Sequence, residues 1–92
     1  MILRRSKAQI LLDILASIQK ENGKIKKTHL MYHANLTHER LKKYLEILLL
    51  NNSLKESKTG NETFYSITKK GYDFLAEIRR LKKMSEAFGI PM

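Results

Sequence analysis

The 92-residue chain is long enough for one domain and too short for two; at this size folding buries only about two thirds of the surface of the unfolded chain, so the core must be compact. Eighteen lysines and arginines against nine acidic residues give a net charge of +9, which attracts nucleic acid or an anionic membrane surface before any specific contact forms. The lack of cysteine excludes disulfides, thiolate catalysis and cysteine-ligated zinc, and the longest apolar run, residues 47–50, is far short of the roughly 20 residues that span a bilayer.

Arg4, Arg5 and the apolar residues after them have the outline of a secretory signal, but Asp13 interrupts the run and no small-residue cleavage site precedes Glu21. An amphipathic first helix accounts for the same residues. Ser6 and Gln9 have the spacing of a capping box, Ile10, Leu11, Ile14, Leu15 and Ile18 trace a helical stripe, and Asn22-Gly23 stops it, which predicts a helix over 6–20. Arg4, Arg5 and Lys7 at its start are not favoured by the helix dipole and read either as an arm that touches phosphate or as a solvated end.

Residues 23–27 are too short and too basic to pack alone, so Ile25 is expected as a brief strand or anchor leading to Thr28, the expected cap of a second helix over 28–34. Leu30 and Met31 should face inward there, with Tyr32 on core spacing. Ala34 ends that pattern, Asn35 tolerates a left-handed C-terminal position, and Thr37 can cap the next helix. From Thr37 to about residue 51, Leu41, Tyr44, Leu45 and Leu48 share one face, while Glu39, Lys43 and Glu46 fall opposite, flanked by Arg40 and Lys42. This is the layout of a helix-turn-helix. The apolar residues 47–50 cover most of one turn and should be buried on several sides, by a fourth helix or a second subunit.

After the breaker pair Asn51-Asn52 the period changes to two, and residues 54–58 and 63–67 flank the turn 59–62, a β-hairpin. Tyr65 and Ile67 should reach the core with Leu54, leaving Lys55, Lys58 and the tip in solvent, and Gly60 and Asn61 both suit positive φ. The lysine-flanked tip is compatible with a groove or backbone contact, or is only a turn. Thr68 is the expected cap of a fourth helix over 69–87, and Gly71 in its first turn allows a close approach to a neighbouring element. Phe74, Ile78, Leu81, Ser85 and Phe88 follow at steps of four, three, four and three, the seam of a coiled coil, while Tyr72 and Leu75 point to a second face. One face belongs to the domain's own core and the other to the same helix of a second molecule. Gly89, Ile90, Pro91 and Met92 end the helix and are expected frayed or docked on the partner.

The predicted fold is mainly α with a small β-hairpin, divided into a domain over 1–68 and a C-terminal helix, 69–92, that packs on it and pairs subunits. Several phrases resemble the small archaeal winged helix-turn-helix DNA-binding proteins. They are Arg5-Ser6-Lys7, Lys27-Thr28, Met31-Tyr32, Ala34-Asn35-Leu36-Thr37, Leu41-Lys42-Lys43-Tyr44-Leu45 and Ile67-Thr68-Lys69-Lys70-Gly71, spanning residues 5–81. The resemblance implies a transcriptional regulator or a chromatin-associated protein, cytoplasmic and nucleoid-associated. It also implies a third helix in the major groove, a wing along the backbone or minor groove, and a dimer formed through the C-terminal helix. Two departures accompany it: the wing's Lys55 and Lys58 are balanced by Glu56 and Glu62, and the fourth helix is shorter than in the long coiled-coil members.

The expected partner is double-stranded DNA, with contacts from Lys27, Thr37, His38, Glu39, Arg40, Lys42, Lys43, Lys58 and Asn61, and a homodimer formed through Phe74, Ile78, Leu81 and Phe88. Lys42 and Lys43 can neutralise phosphate, Arg40 can also read guanine, and Thr37 and His38 stand at the helix end where base edges or a phosphate are met. Glu39 can accept from cytosine or repel the backbone. The block Arg79, Arg80, Lys82 and Lys83 either extends the footprint or is the solvated flank of a dimer helix. His29 and His33 have the spacing to share a metal ion but lack a third ligand, so no metal and no cofactor are expected. Without paired carboxylates, a nucleophile with its base, or a glycine-rich phosphate loop, the chain does not read as an enzyme. A protein-interaction module is the rival reading, and the charge argues against it. RNA is disfavoured because no exposed aromatic platform on a sheet is apparent.

Overall fold

In the computed structural model, which describes residues 5–89, α1 (Lys7–Lys20) begins where the Ser6 hydroxyl accepts the Gln9 N–H at 3.1 Å. The capping box is only half made, because the Gln9 side chain donates instead to Asp13 at 2.7 Å. Asn22 and Gly23, both at positive φ, turn the chain into β1 (Lys24–Lys26). Helix α2 (Lys27–Ala34) follows without a break. The pairing of Ile25 with Tyr65 fixes the chain as far as Lys26, so the helix starts at once and Thr28 lies inside its first turn rather than capping it. Lys26 takes the cap position with no side-chain bond.

The joint forms as its residue types require: Asn35 adopts the left-handed conformation at φ 53, Leu36 is buried, and the Thr37 hydroxyl accepts the Arg40 N–H at 3.3 Å to open α3 (His38–Leu50). Strands β2 (Leu54–Thr59) and β3 (Glu62–Ile67) make the hairpin. Of its two turn residues only Gly60 takes positive φ, the pattern of a type II′ turn, so Asn61 is not left-handed as expected. The sheet has three strands rather than two, ordered β1-β3-β2 and antiparallel throughout. Alternation gives it two faces. Ile25, Leu54, Tyr65 and Ile67 turn toward the helices, and Lys24, Lys26, Lys55, Ser57, Phe64 and Ser66 turn away.

Thr68 caps α4 (Lys69–Ala87), its hydroxyl accepting the Gly71 N–H at 3.0 Å and donating to the Asn52 carbonyl at 2.6 Å. The core is one cluster, with Ile10, Ile14, Leu15 and Ile18 of α1 packed with Leu30, Leu41, Leu48 and Leu75.

Three packing expectations are corrected. Tyr32 is 80% exposed, because Leu30 and Ala34 occupy the whole buried stripe of the eight-residue α2 and leave Tyr32 opposite it. At the end of α3 only Leu48 is fully buried; Ile47 is exposed and Leu50 is 84% exposed, since the last turn runs past the cover of the sheet. On α4, Ile78 is 4% exposed and belongs to the protomer's own core beside Leu75, and Phe74 also packs against that core. The large apolar side chains left outward are Tyr72 near the start of the helix and, toward its end, Leu81 at 50%, Met84 and Phe88 at 73%. Arg4, Ile90, Pro91 and Met92 lie outside the described residues.

Candidate nucleic-acid interface

Helix α3 is amphipathic in a way that limits which residues can meet a partner. Leu41, Tyr44, Leu45 and Leu48 are buried, and His38, Glu39, Arg40, Lys42, Lys43 and Glu46 are all exposed. At 3.6 residues per turn, Glu39, Lys43 and Glu46 occupy the outward centre. Lys42 and His38 lie on the edge toward the sheet, and Arg40 lies on the other edge. Among the described residues Lys42 and Lys43 enter no ion pair, so both ammonium groups are available to an outside anion.

The sheet-side edge of α3 borders a cleft of about 270 Å³ lined by Lys27, His38, Lys42, Leu45, Glu46, Leu49, Glu56 and Tyr65. It brings together three expected contact residues, Lys27, His38 and Lys42, from two helices. A smaller notch of about 190 Å³ lies between the start of α2 and the hairpin, lined by Lys26, Lys27, Thr28, Asn61, Glu62 and Thr63, and joins Lys27 to Asn61. The Lys26 ammonium and the Glu62 carboxylate meet at 2.8 Å across it. Lys58 is exposed on β2 opposite Thr63 and lines neither concavity, and Thr37 has its hydroxyl engaged in the cap.

At the floor of the larger cleft the Tyr65 phenol is pushed up to about 12, mainly by burial, with the Glu56 charge and a hydrogen bond to Glu56 adding to the effect. The wing carboxylate nearest α3 is thereby tied to a phenol that stays protonated at neutral pH. Because Glu56 and Tyr65 are cross-strand partners, the contact joins β2 to β3 at the floor of the cleft.

Arg5 has a role that its sequence position did not suggest. Instead of extending to a phosphate, its guanidinium bonds Asp13 at 2.9 Å, the Ala34 carbonyl at 2.8 Å and the Asn35 carbonyl at 3.0 Å. It therefore satisfies the free carbonyls at the end of α2 and holds the turn before α3 against α1. Gln9 steadies the same carboxylate from the other side. An N-terminal arginine next to a helix gives no hint of a partner some thirty residues on, so only the fold reveals this contact.

The histidine pair and the α4 basic block stand apart from this surface. His29 and His33 are exposed on α2, with His33 Nε2 3.7 Å from Glu21. In the α4 block, Arg79 donates to Gln19 at 3.0 Å and Arg80 pairs with Glu77 at 2.8 Å, so both guanidinium groups are engaged within the protomer.

Residues 4–86 match the winged helix-turn-helix family. Among curated proteins none matches significantly. Among solved structures, the chain is similar to Sso10a-2, a DNA-binding protein from Sulfolobus solfataricus, at 26% identity and TM-score 0.82 over 92% of this chain and 85% of that one. F93 from STIV, a winged-helix DNA-binding protein, shares 15% identity at TM-score 0.74, covering 87% of this chain and 92% of that one. The PcaV transcriptional regulator from Streptomyces coelicolor shares 13% at TM-score 0.76, covering 86% of this chain and 60% of that one. The last two likenesses are of fold alone.

Proposed function

The chain belongs to the winged helix-turn-helix family, and from that premise we propose that it binds double-stranded DNA as a transcriptional regulator, with α3 in the major groove. The observation that carries this reading is that Lys42 and Lys43 are exposed on α3 and enter no ion pair among the described residues, with Lys27 and His38 gathered beside Lys42 at one cleft. Phosphate neutralisation supplies most of the affinity. The acidic residues Glu39 and Glu46 interleaved with Lys43 disfavour indiscriminate coating of the backbone, which favours a regulator over an architectural protein. Lys58 and Asn61 of the wing are proposed to meet the flanking backbone. The DNA-binding description of Sso10a-2 supports the reading.

Affinity for fragments of the source genome, measured against random-sequence competitor at 50 and 200 mM salt, tests it. A regulator prefers particular fragments by at least about 1,000-fold and loses affinity steeply with salt. Equal affinity for every sequence would point to a chromatin role instead, and no binding at either salt would remove the DNA reading.

We further propose a homodimer through the outer end of α4. Leu81, Met84 and Phe88, at steps of three and four, form an exposed apolar edge on a helix whose inward stripe, Gly71, Leu75 and Ile78, is already buried in the protomer. The parent should sediment at twice the chain mass, and Leu81→Asp/Met84→Asp at the single mass with unchanged far-UV circular dichroism. Ile78 is unsuitable for this test because a charge there would break the core. A parent of single mass, or a double variant that remains dimeric, would overturn the assignment.

A further inference from the structure

The outer face of the sheet carries a second group of cations around an aromatic ring, and no contact expected of α3 or the wing tip uses it. Phe64 is at the middle of the central strand β3, half-buried, and is not among the residues packed against the core. Its cross-strand neighbours on this face are Lys26 of β1 and Ser57 of β2, and the next row is Lys24, Ser66 and Lys55. The Lys24 ammonium sits 5.0 Å from the centre of the Phe64 ring. Glu62, at the tip end of the face, is neutralised by Lys26 at 2.8 Å, and among the described residues Lys24 and Lys55 have no carboxylate partner.

We propose that this face binds single-stranded nucleic acid, with a base stacked on Phe64 and the phosphates on either side met by Lys24, Lys26 and Lys55. Charge complementarity selects a polyanion. The ring selects an unpaired one, because a duplex keeps its base faces stacked inside and offers none to a side chain. Lys24 occupies the ring in the free protein by cation–π attraction, so an arriving base displaces it toward the adjoining phosphate. The row spacing supports both contacts at once, since Phe64 and Ser66 lie two residues apart on one strand, about 7 Å, with Lys26 about 5 Å to one side of Phe64 and Lys24 and Lys55 about 5 Å to either side of Ser66. The face points away from α3, because Tyr65, on the opposite side of the same strand, lines the cleft beneath that helix. Single-strand and duplex binding therefore use different surfaces, and the two can fail separately.

Fluorescence anisotropy with end-labelled dT12 and with a 20-base-pair duplex separates them. Phe64→Ala should weaken dT12 binding about 5- to 150-fold, the range for loss of one stacked base, and leave duplex affinity within about twofold. The chain has no tryptophan, so Phe64→Trp places a single indole at the site. Its emission should be quenched by dT12 and unchanged by duplex, whereas Lys42→Glu/Lys43→Glu should spare dT12 binding. The proposal is overturned if the parent does not bind dT12. It is equally overturned if Phe64→Ala, folded by circular dichroism, binds dT12 like the parent or loses both ligands alike, or if dT12 leaves the indole emission unchanged.

Discussion

Gly71→Ala is expected to lower stability by about 3 kcal/mol, the upper part of the range for forcing a methyl into a filled space. For a domain of this size that is a fall in Tm of roughly 12–24 °C. A Cβ at Gly71 would overlap the Ser53 carbonyl oxygen and stand 2.7 Å from Ile67 Cγ1. The carbonyl cannot yield. The Ser53 carbonyl accepts the Thr68 N–H at 3.0 Å and the Asn52 carbonyl accepts the Thr68 hydroxyl, so the loop after α3 is fastened to the cap of α4 at the point where the methyl would enter. Ser53 and Gly71 are both buried, and the Ser53 hydroxyl is already without a hydrogen-bond partner among the described residues. Gly60→Ala is the control. It too places a methyl on a glycine, at φ 63, but nothing lies within 4 Å, so its cost is confined to backbone strain of about 1–2 kcal/mol. Thermal unfolding of the two variants decides the matter. A Gly71→Ala protein melting within about 3 °C of the parent would show that the joint between α3, β2 and α4 can open without loss.

Gly71 was legible as a close approach because glycine weakens the first turn of a helix unless a neighbour has to come near it. The helix-turn-helix joint was legible for the same kind of reason, since the left-handed turn at Asn35 and the Thr37 hydroxyl cap are both local, made with residues no more than four positions away. Features set by distant partners were not legible. The brief strand or anchor expected at Ile25 is a strand, but three residues carry too little pattern to show that it pairs with β3 and makes the wing's sheet three-stranded. Arg5 reaches the end of α2 through the packing of α1, which no local spacing encodes. The α4 seam shows a further limit. A four-three repeat states that a face is apolar but not what covers it, so Ile78, buried at home, and Leu81, left in solvent, belong to one sequence pattern. The outward face of α3 was read from periodicity alone, whereas the gathering of Lys27 with His38 and Lys42 needed the fold. Phe64 was hidden by the strand itself: alternation assigned Tyr65 and Ile67 inward, and the ring between them gained significance only when β1 set two lysines beside it.

Lys42→Glu/Lys43→Glu is expected to have the largest effect on duplex binding. Each phosphate contact contributes about 0.9 to the slope of log affinity against log salt, so losing two lowers that slope by about 2. Relative to 1 M salt, two such contacts amount to about 60-fold in affinity at 0.1 M. Reversal adds repulsion, so the loss at 0.1 M should reach about 100-fold. Both side chains are exposed and unpaired among the described residues, and stability should change by no more than about 0.5 kcal/mol. The informative comparison is Lys20→Glu/Lys83→Glu, which reverses two exposed lysines on α1 and α4 and alters the net charge by the same amount. Charges more than a Debye length, about 8 Å, from the DNA are largely screened at physiological salt, so that pair should shift affinity by no more than about threefold and leave the slope nearly intact. If the two double variants lose affinity equally, the +9 charge acts as a diffuse field and α3 has no special place in it. If only Lys42 and Lys43 matter, the affinity is localised on α3. Glu39 and Glu46, on the same exposed side, would then be positioned to reject sequences whose groove presents no hydrogen-bond donor to a carboxylate.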